Sequence, residues 1–177
     1  GYAKMDAERM YLASKEKVKH ATQGYGGELV IPSIDVIITE KCTLKCTDCA
    51  NLMPYFKKPK NIDYDDIFAC LTTLSGLADS ILELRILGGE PFMRKDIERV
   101  IEFCANVSNA KKVVLYTNAT LVPRQPALEA MKHEKVFVEI TDYGALSPRL
   151  GEIVRAFDQE GISYVTKELP ESWDDSA

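Results

Sequence analysis

Ile34-Asp35-Val36-Ile37-Ile38-Thr39-Glu40-Lys41-Cys42-Thr43-Leu44-Lys45-Cys46-Thr47-Asp48-Cys49 runs a β-branched stretch directly into three closely spaced cysteines. The apolar residues Ile34, Val36, Ile37 and Ile38 are nearly continuous, which predicts a buried strand. Residues 40–62 then read as a long loop that holds the cysteines and two prolines, Pro54 and Pro59. Its Lys57, Lys58 and Lys60 read as a solvated stretch rather than a phosphate site.

Beyond that loop the same unit repeats. Asp63 opens a helix in which Tyr64, Ile67, Phe68, Leu71, Leu74 and Ala78 share one face. Asp63, Asp65 and Asp66 suit its positive N-terminal end. Residues 81–87 alternate as a second strand, stopped by Gly88-Gly89-Glu90-Pro91. Ile97, Val100, Ile101 and Cys104 mark a second helix, and Val113-Val114-Leu115-Tyr116 a third strand ending at Thr117-Asn118. A short helix near 125–132 precedes a fourth strand at 136–140, which runs into Thr141-Asp142-Tyr143. Leu150, Ile153, Val154 and Phe157 give a last helix, ended by Gly161, and 162–165 a fifth strand.

Strand–helix alternation implies a parallel sheet. The fold class is therefore α/β, a partial (β/α) barrel of about five to six parallel strands. In such folds functional groups gather at the carboxyl ends of the strands. Here that edge carries the cysteine loop, Gly-Gly-Glu-Pro, Thr-Asn and Thr-Asp-Tyr. At 177 residues the chain is shorter than the roughly 250 of a full eight-unit barrel. Residues 1–30 are expected to form an N-terminal helical extension and 31–177 the core. The start at Gly1 rather than Met suggests a processed, trimmed or partial chain, with a sixth unit expected after Ala177.

Composition excludes several classes. The chain is 46% hydrophobic and 28% charged, within the range of globular proteins. No apolar run approaches the roughly 20 residues of a membrane span. A net charge of −5 argues against a general nucleic-acid binder. No signal peptide is recognisable, so the cytoplasm is the expected compartment. Three of the five cysteines fall within eight residues, a pattern of metal ligation rather than of a disulfide framework.

Thiolates favour iron–sulfur clusters, zinc or copper(I). A four-iron cluster needs four ligands, and Cys42, Cys46 and Cys49 supply three, leaving one iron for a non-protein ligand. A structural zinc site closes with a fourth Cys or His. The histidines, His20 and His133, are remote in sequence.

The spacing Cys42-x3-Cys46-x2-Cys49 after the first strand resembles the signature of the radical S-adenosylmethionine (radical SAM) superfamily. Gly88-Gly89-Glu90-Pro91 resembles that family's GGE segment, and Thr117-Asn118 its Thr-Asn-Gly turn. The resemblance covers about residues 30–166. It implies a [4Fe-4S] cluster on Cys42, Cys46 and Cys49, with S-adenosyl-L-methionine on the open iron. Reductive cleavage of the C5′–S bond would give a 5′-deoxyadenosyl radical that abstracts hydrogen from a substrate. It further implies that Gly88 and Gly89 admit backbone to the methionine amino group and that Glu90 helps fix it. Thr117 and Asn118 would reach the methionine or ribose, and Thr141 and Asp142 the ribose hydroxyls. No catalytic residue is assigned.

Two positions depart from the family pattern. Asp48 stands where an aromatic is frequent, so adenine would have to find Tyr55, Phe56 or Phe92. Ala119 stands where the turn has Gly, which predicts a turn without a left-handed residue. The expected substrate is a peptide of the kind modified by SPASM-type enzymes, or a sugar or polysaccharide precursor. A flavodoxin or ferredoxin is the expected electron donor. The alternatives are an activase of glycyl-radical enzymes and, from another class, a non-enzymatic iron–sulfur electron carrier or zinc protein. Cys70 and Cys104 read as buried inert thiols, His133 as a surface residue at a helix end, and Tyr143 as a packing aromatic rather than a substrate contact. Glu139 becomes a functional candidate only if it faces the barrel interior.

Overall fold

A computed structural model describes residues 28–169 of the chain. Residues 1–27 of the expected N-terminal helical extension, His20 among them, lie outside the described residues. The strands are β1 (Val30–Ile37), β2 (Ser80–Leu87), β3 (Ala110–Thr117), β4 (Val136–Asp142) and β5 (Tyr164–Glu168). They form one parallel five-stranded sheet in the order β1-β2-β3-β4-β5. The helices between them are α1 (Tyr64–Leu77), α2 (Ile97–Asn106), α3 (Gln125–Met131) and α4 (Leu150–Glu160). This is the predicted partial β/α barrel.

The hydrophobic core lies between the helices and one face of the sheet. Ile67 and Leu71 of α1, Val100 and Cys104 of α2, Met131 of α3 and Phe157 of α4 meet Leu84, Ile86, Leu115, Val138 and Ile140 there. Strand β4 shows the two-residue period plainly: Val136, Val138 and Ile140 are buried, while Phe137, Glu139 and Thr141 are half-buried on the other face. Asp63 caps α1 by accepting the Asp65 amide at 2.8 Å. Gly161, at φ 68°, ends α4 in the left-handed region.

Four expectations need correction. Strand β1 begins earlier than predicted and is not wholly buried; Asp35 is exposed and Ile34 half-buried. As the first strand in the order it can carry Pro32, which drops out of the pairing with β2. Strand β5 starts two residues later than predicted, because Ile162 packs into the core ahead of it. Cys70 is exposed. Only Ile67 and Leu71 of α1 are buried, with Tyr64 and Phe68 packed beside them, so the apolar stripe leans away from Cys70. Ala119 does adopt the left-handed conformation, at φ 57°, and is fully buried. Cys104 is buried as expected, and burial pushes its thiol up to about 12.

The cysteine loop leaves the sheet through a narrow neck. Thr39 and Asn61 form an antiparallel bridge. The Ile62 amide donates to the Ile38 carbonyl at 3.0 Å and the Glu40 amide to the Lys60 carbonyl at 2.9 Å. Arg94, only 3% exposed, donates from one terminal nitrogen to the Ile38 and Ile62 carbonyls, so one guanidinium ties both roots of the loop. Asp96 holds that guanidinium from its other side, with contacts of 2.8 and 3.1 Å.

Candidate functional site

The carboxyl ends of β1 to β4 surround a cavity of about 320 Å³. Cys42, Cys46 and Cys49 all line it, along with Gly88, Gly89, Thr117, Asn118 and Thr141. Eight of the ten residues singled out from the sequence therefore meet at one place. The remaining two, Glu90 and Asp142, do not line it.

Glu90 is 0% exposed and works inside the scaffold. Its carboxylate accepts the Phe92 amide at 3.1 Å, the Asn118 amide at 2.8 Å, and the Thr117 hydroxyl at 2.9 and 3.0 Å. It thereby fastens the end of β3 to the turn after β2. Burial pushes the Glu90 carboxyl up to about 7, against the downward pull of those same donors. Asp142 accepts the Gly144 amide at 2.8 Å and so shapes the turn after β4.

The glycine pair has a more specific reason than ligand access. A Cβ on Gly89 would fall 2.1 Å from the Lys41 carbonyl oxygen and 2.8 Å from the Cys42 Cβ. A Cβ on Gly88 would fall 2.4 Å from the Thr39 oxygen. The backbone of the cysteine loop occupies the space that side chains would need. In return, the Gly89 and Glu90 amides donate to Thr39 and Lys41 carbonyls at 3.0 and 2.8 Å. The Asn51 side chain donates to the Gly88 carbonyl at 3.1 Å from the far side of the loop.

Asn118 links the third turn to the cysteines. Its side-chain nitrogen reaches the Cys42 sulfur at 3.7 Å and the Thr43 hydroxyl at 3.2 Å, and its oxygen accepts from Thr120. Thr43 and Thr120 share a hydrogen bond of 2.6 Å. Ser147 carries the network to the fourth turn, donating to the Asn118 carbonyl at 2.7 Å and accepting the Tyr143 amide at 2.8 Å.

Burial raises the Cys42 thiol above its usual value; the Leu44 amide pulls it down, and Glu90 and the other two cysteines push it up again. Thiols grouped in this way ionise together only with a compensating cation. Among the described residues, no three His, Cys, Asp or Glu converge closely enough to hold a single metal ion. Three cysteines spread around one cavity suit a multi-iron cluster better than one tetrahedral zinc.

Sequence reasoning missed part of the cavity. Asp35, Arg85 and Tyr116 line it from the sheet face opposite the helices. Arg85 pairs with Asp35 at 2.6 Å, across a register that puts the two residues opposite each other. Glu139 shares that face, where it pairs with Lys167 at 2.6 Å, and it is thereby a functional candidate. Burial first, then Glu139, pushes the Tyr116 phenol up to about 12. Charged residues inside an otherwise apolar strand, as in Glu83-Leu84-Arg85-Ile86, were the available signal. Tyr143 also lines the cavity beside the cysteines; burial first, then those cysteines, raises its hydroxyl above the usual range. Tyr55 is 76% exposed, and neither it, Phe56 nor Phe92 lines the cavity. His133 is half-buried before β4, at the sheet edge away from the cysteines, and accepts the Lys135 amide at 3.1 Å.

Residues 36–142, more than half of the chain, match the sequence model of a family described as the Radical SAM superfamily. A protein named GTP 3′,8-cyclase from Stenotrophomonas maltophilia (strain K279a) is 32% identical over 107 residues, which are 59% of this chain and 31% of that protein. The chain thus spans about a third of the length of the curated relatives it matches. Among solved structures, Streptococcus suis SuiB bound to S-adenosylmethionine superposes with a TM-score of 0.64 at 20% identity, over 93% of this chain and 40% of that one. SuiB bound to precursor peptide SuiA gives 0.61 at 18% identity, over 92% and 36%.

Proposed function

The chain belongs to the radical SAM superfamily, and from that premise we propose that it cleaves S-adenosyl-L-methionine reductively at the cavity described above. The observation that carries the reading is the convergence of Cys42, Cys46 and Cys49 on one cavity with the Gly88-Gly89 and Thr117-Asn118 turns. When bound, a [4Fe-4S] cluster with S-adenosyl-L-methionine supplies the one-electron chemistry that yields a 5′-deoxyadenosyl radical. Cys42, Cys46 and Cys49 would hold the cluster. The donor set fits, with three soft thiolates, no fourth in the loop, and a cavity left open beside them.

The other residues position and shield. Gly88 and Gly89 seat the cysteine loop against β2, and their backbone borders the cavity where a methionine amino group would bind. Glu90 fixes Thr117 and Asn118, and Asn118 in turn orients the loop at Cys42 and Thr43. Thr117, Asn118 and Thr141 offer hydroxyl and amide groups for the amino-acid and ribose portions. Tyr143 replaces Tyr55, Phe56 and Phe92 as the aromatic candidate for adenine, since it borders the cavity and they do not.

The substrate is proposed to be polar, of peptide or carbohydrate type. The face below the cysteines supports this with Tyr116 and the pairs Asp35–Arg85 and Glu139–Lys167, all able to donate or accept hydrogen bonds. The peptide reading draws further support from SuiB, which has been solved with a precursor peptide bound. An electron donor of flavodoxin or ferredoxin type completes the scheme.

The test is anaerobic. The protein is reconstituted with iron and sulfide, given dithionite and S-adenosyl-L-methionine, and assayed for 5′-deoxyadenosine. Product is expected from the native protein and none from Cys46→Ala. Cluster-loaded protein that makes no product would overturn the enzyme reading in favour of an electron carrier. Bound zinc in place of iron would favour a structural metal domain.

A further inference from the structure

The loop that holds the cysteines is a basic island in an acidic protein. Residues 41–60 contain five lysines (Lys41, Lys45, Lys57, Lys58 and Lys60) and one acid, Asp48, whereas the whole chain has a net charge of −5. Residues 54–60, Pro-Tyr-Phe-Lys-Lys-Pro-Lys, are all exposed. Tyr55 and Phe56 stand 76% and 42% exposed, and Leu52 beside them 60%. Lys57, Lys58 and Lys60 enter no ion pair among the described residues. Yet this surface is held in place. The neck at 38–40 and 60–62 fixes its root, and the Leu52 and Tyr55 amides, donating to Cys49 and Leu52 carbonyls at 3.0 Å, tie it to the third cysteine.

Exposed aromatics beside unpaired lysines form a surface with a chemical preference. The charges attract an acidic partner from a distance, and the rings supply apolar area on contact. It lies on the same loop as the three thiols, a few residues from Cys49, where an external electron must arrive. We propose that residues 52–60 are the docking surface for a small acidic flavoprotein that delivers the electron. The exposed aromatic edge of its flavin would meet Tyr55 and Phe56, and its carboxylates would meet Lys57, Lys58 and Lys60. The transfer moves one electron from the flavin to the group held by the cysteines, and no bond forms or breaks. This inference rests on the radical SAM reading of the same loop.

Binding is measured directly on the full chain, with an acidic flavodoxin as probe. Titration calorimetry gives the affinity, and a zero-length carbodiimide cross-linker followed by mass spectrometry gives the footprint. The affinity should weaken about tenfold or more in Lys57→Glu/Lys58→Glu/Lys60→Glu, with an intermediate loss in the corresponding triple Gln variant. Native affinity should fall steeply between about 50 and 300 mM salt, and that of the Glu variant should not. Cross-links should fall on Lys57, Lys58 and Lys60. Lys111→Glu, an exposed lysine at the other end of the sheet, should change neither affinity nor footprint. Undiminished binding by the triple Glu variant, an equal loss in Lys111→Glu, or cross-links confined to other lysines would each overturn the proposal. A separate arm drives 5′-deoxyadenosine formation with reduced methyl viologen, a small cation that needs no basic surface. The triple variants should retain it, and its absence from native protein would defeat the radical SAM reading rather than the docking surface.

Discussion

Single residues at this site are constrained by their neighbours' backbone. Gly89 is the sharpest case, with the Lys41 carbonyl in the space of its missing Cβ. Gly89→Ala should cost about 1–3 kcal/mol by overpacking, and it should lower iron and sulfide retained per chain after reconstitution. Glu90 gives a pH prediction. Its carboxyl is raised to about 7 in the fold from an ordinary value of 4.5, so the folded state binds the proton more tightly than the unfolded state. The stability tied to that proton is complete below the unfolded value and is lost as pH rises through about 7. The melting temperature of the native protein, minus that of Glu90→Gln, should fall between pH 4.5 and 8 in a fluorimetric scan. A difference that rises with pH would contradict the assignment. Ala119 shows where the sequence misled: alanine in a left-handed turn costs about 1–2 kcal/mol, and the fold bears it because the methyl is buried in the core.

Among the elements, the strands were readable because short alternating and β-branched runs between turn residues suit an extended chain and poorly suit a helix. All four loops at the carboxyl edge then followed from strand order alone. What could not be read was which face of each strand turns toward the cavity. Asp35 and Arg85 look like incidental charges within β1 and β2 until the register sets them side by side. Arg94 was equally invisible, since it acts on carbonyls distant in sequence. Arg94→Met should leave the Ile62 carbonyl without its donor, at a cost of about 1–3 kcal/mol, while the Ile38 carbonyl keeps the Ile62 amide. Protease cleavage within 40–60 should then quicken, with cleavage in the sheet unchanged. Phe157 gives the contrasting case of a side chain that acts through packing. It is fully buried in α4, and Phe157→Ala should cost about 3–5 kcal/mol in urea unfolding without displacing the cysteine loop.

Across the molecule, the candidate site and the apolar core occupy opposite faces of one sheet. The core beneath the helices is apolar, while the other side carries the Asp35–Arg85 and Glu139–Lys167 pairs, Tyr116 and the cavity. Exposed pairs such as Asp35–Arg85 contribute about 0–1 kcal/mol, so ligand binding accounts for their presence better than folding does. Arg85→Gln should therefore change the melting temperature little. In the 5′-deoxyadenosine assay it should still permit cleavage without substrate. Turnover coupled to a peptide or carbohydrate substrate is the quantity it should reduce.

The neck of the cysteine loop has an evolutionary consequence. Because both roots are pinned at Ile38 and Ile62 by one guanidinium, the chain between them behaves as a cassette. Closure entropy grows only logarithmically with length, so the exposed run within it, from Pro54 to Lys60, can be lengthened, shortened or recharged at small cost to the sheet. A fold arranged in this way can change what that surface recognises by rewriting this run, while the scaffold that positions the three cysteines stays as it is.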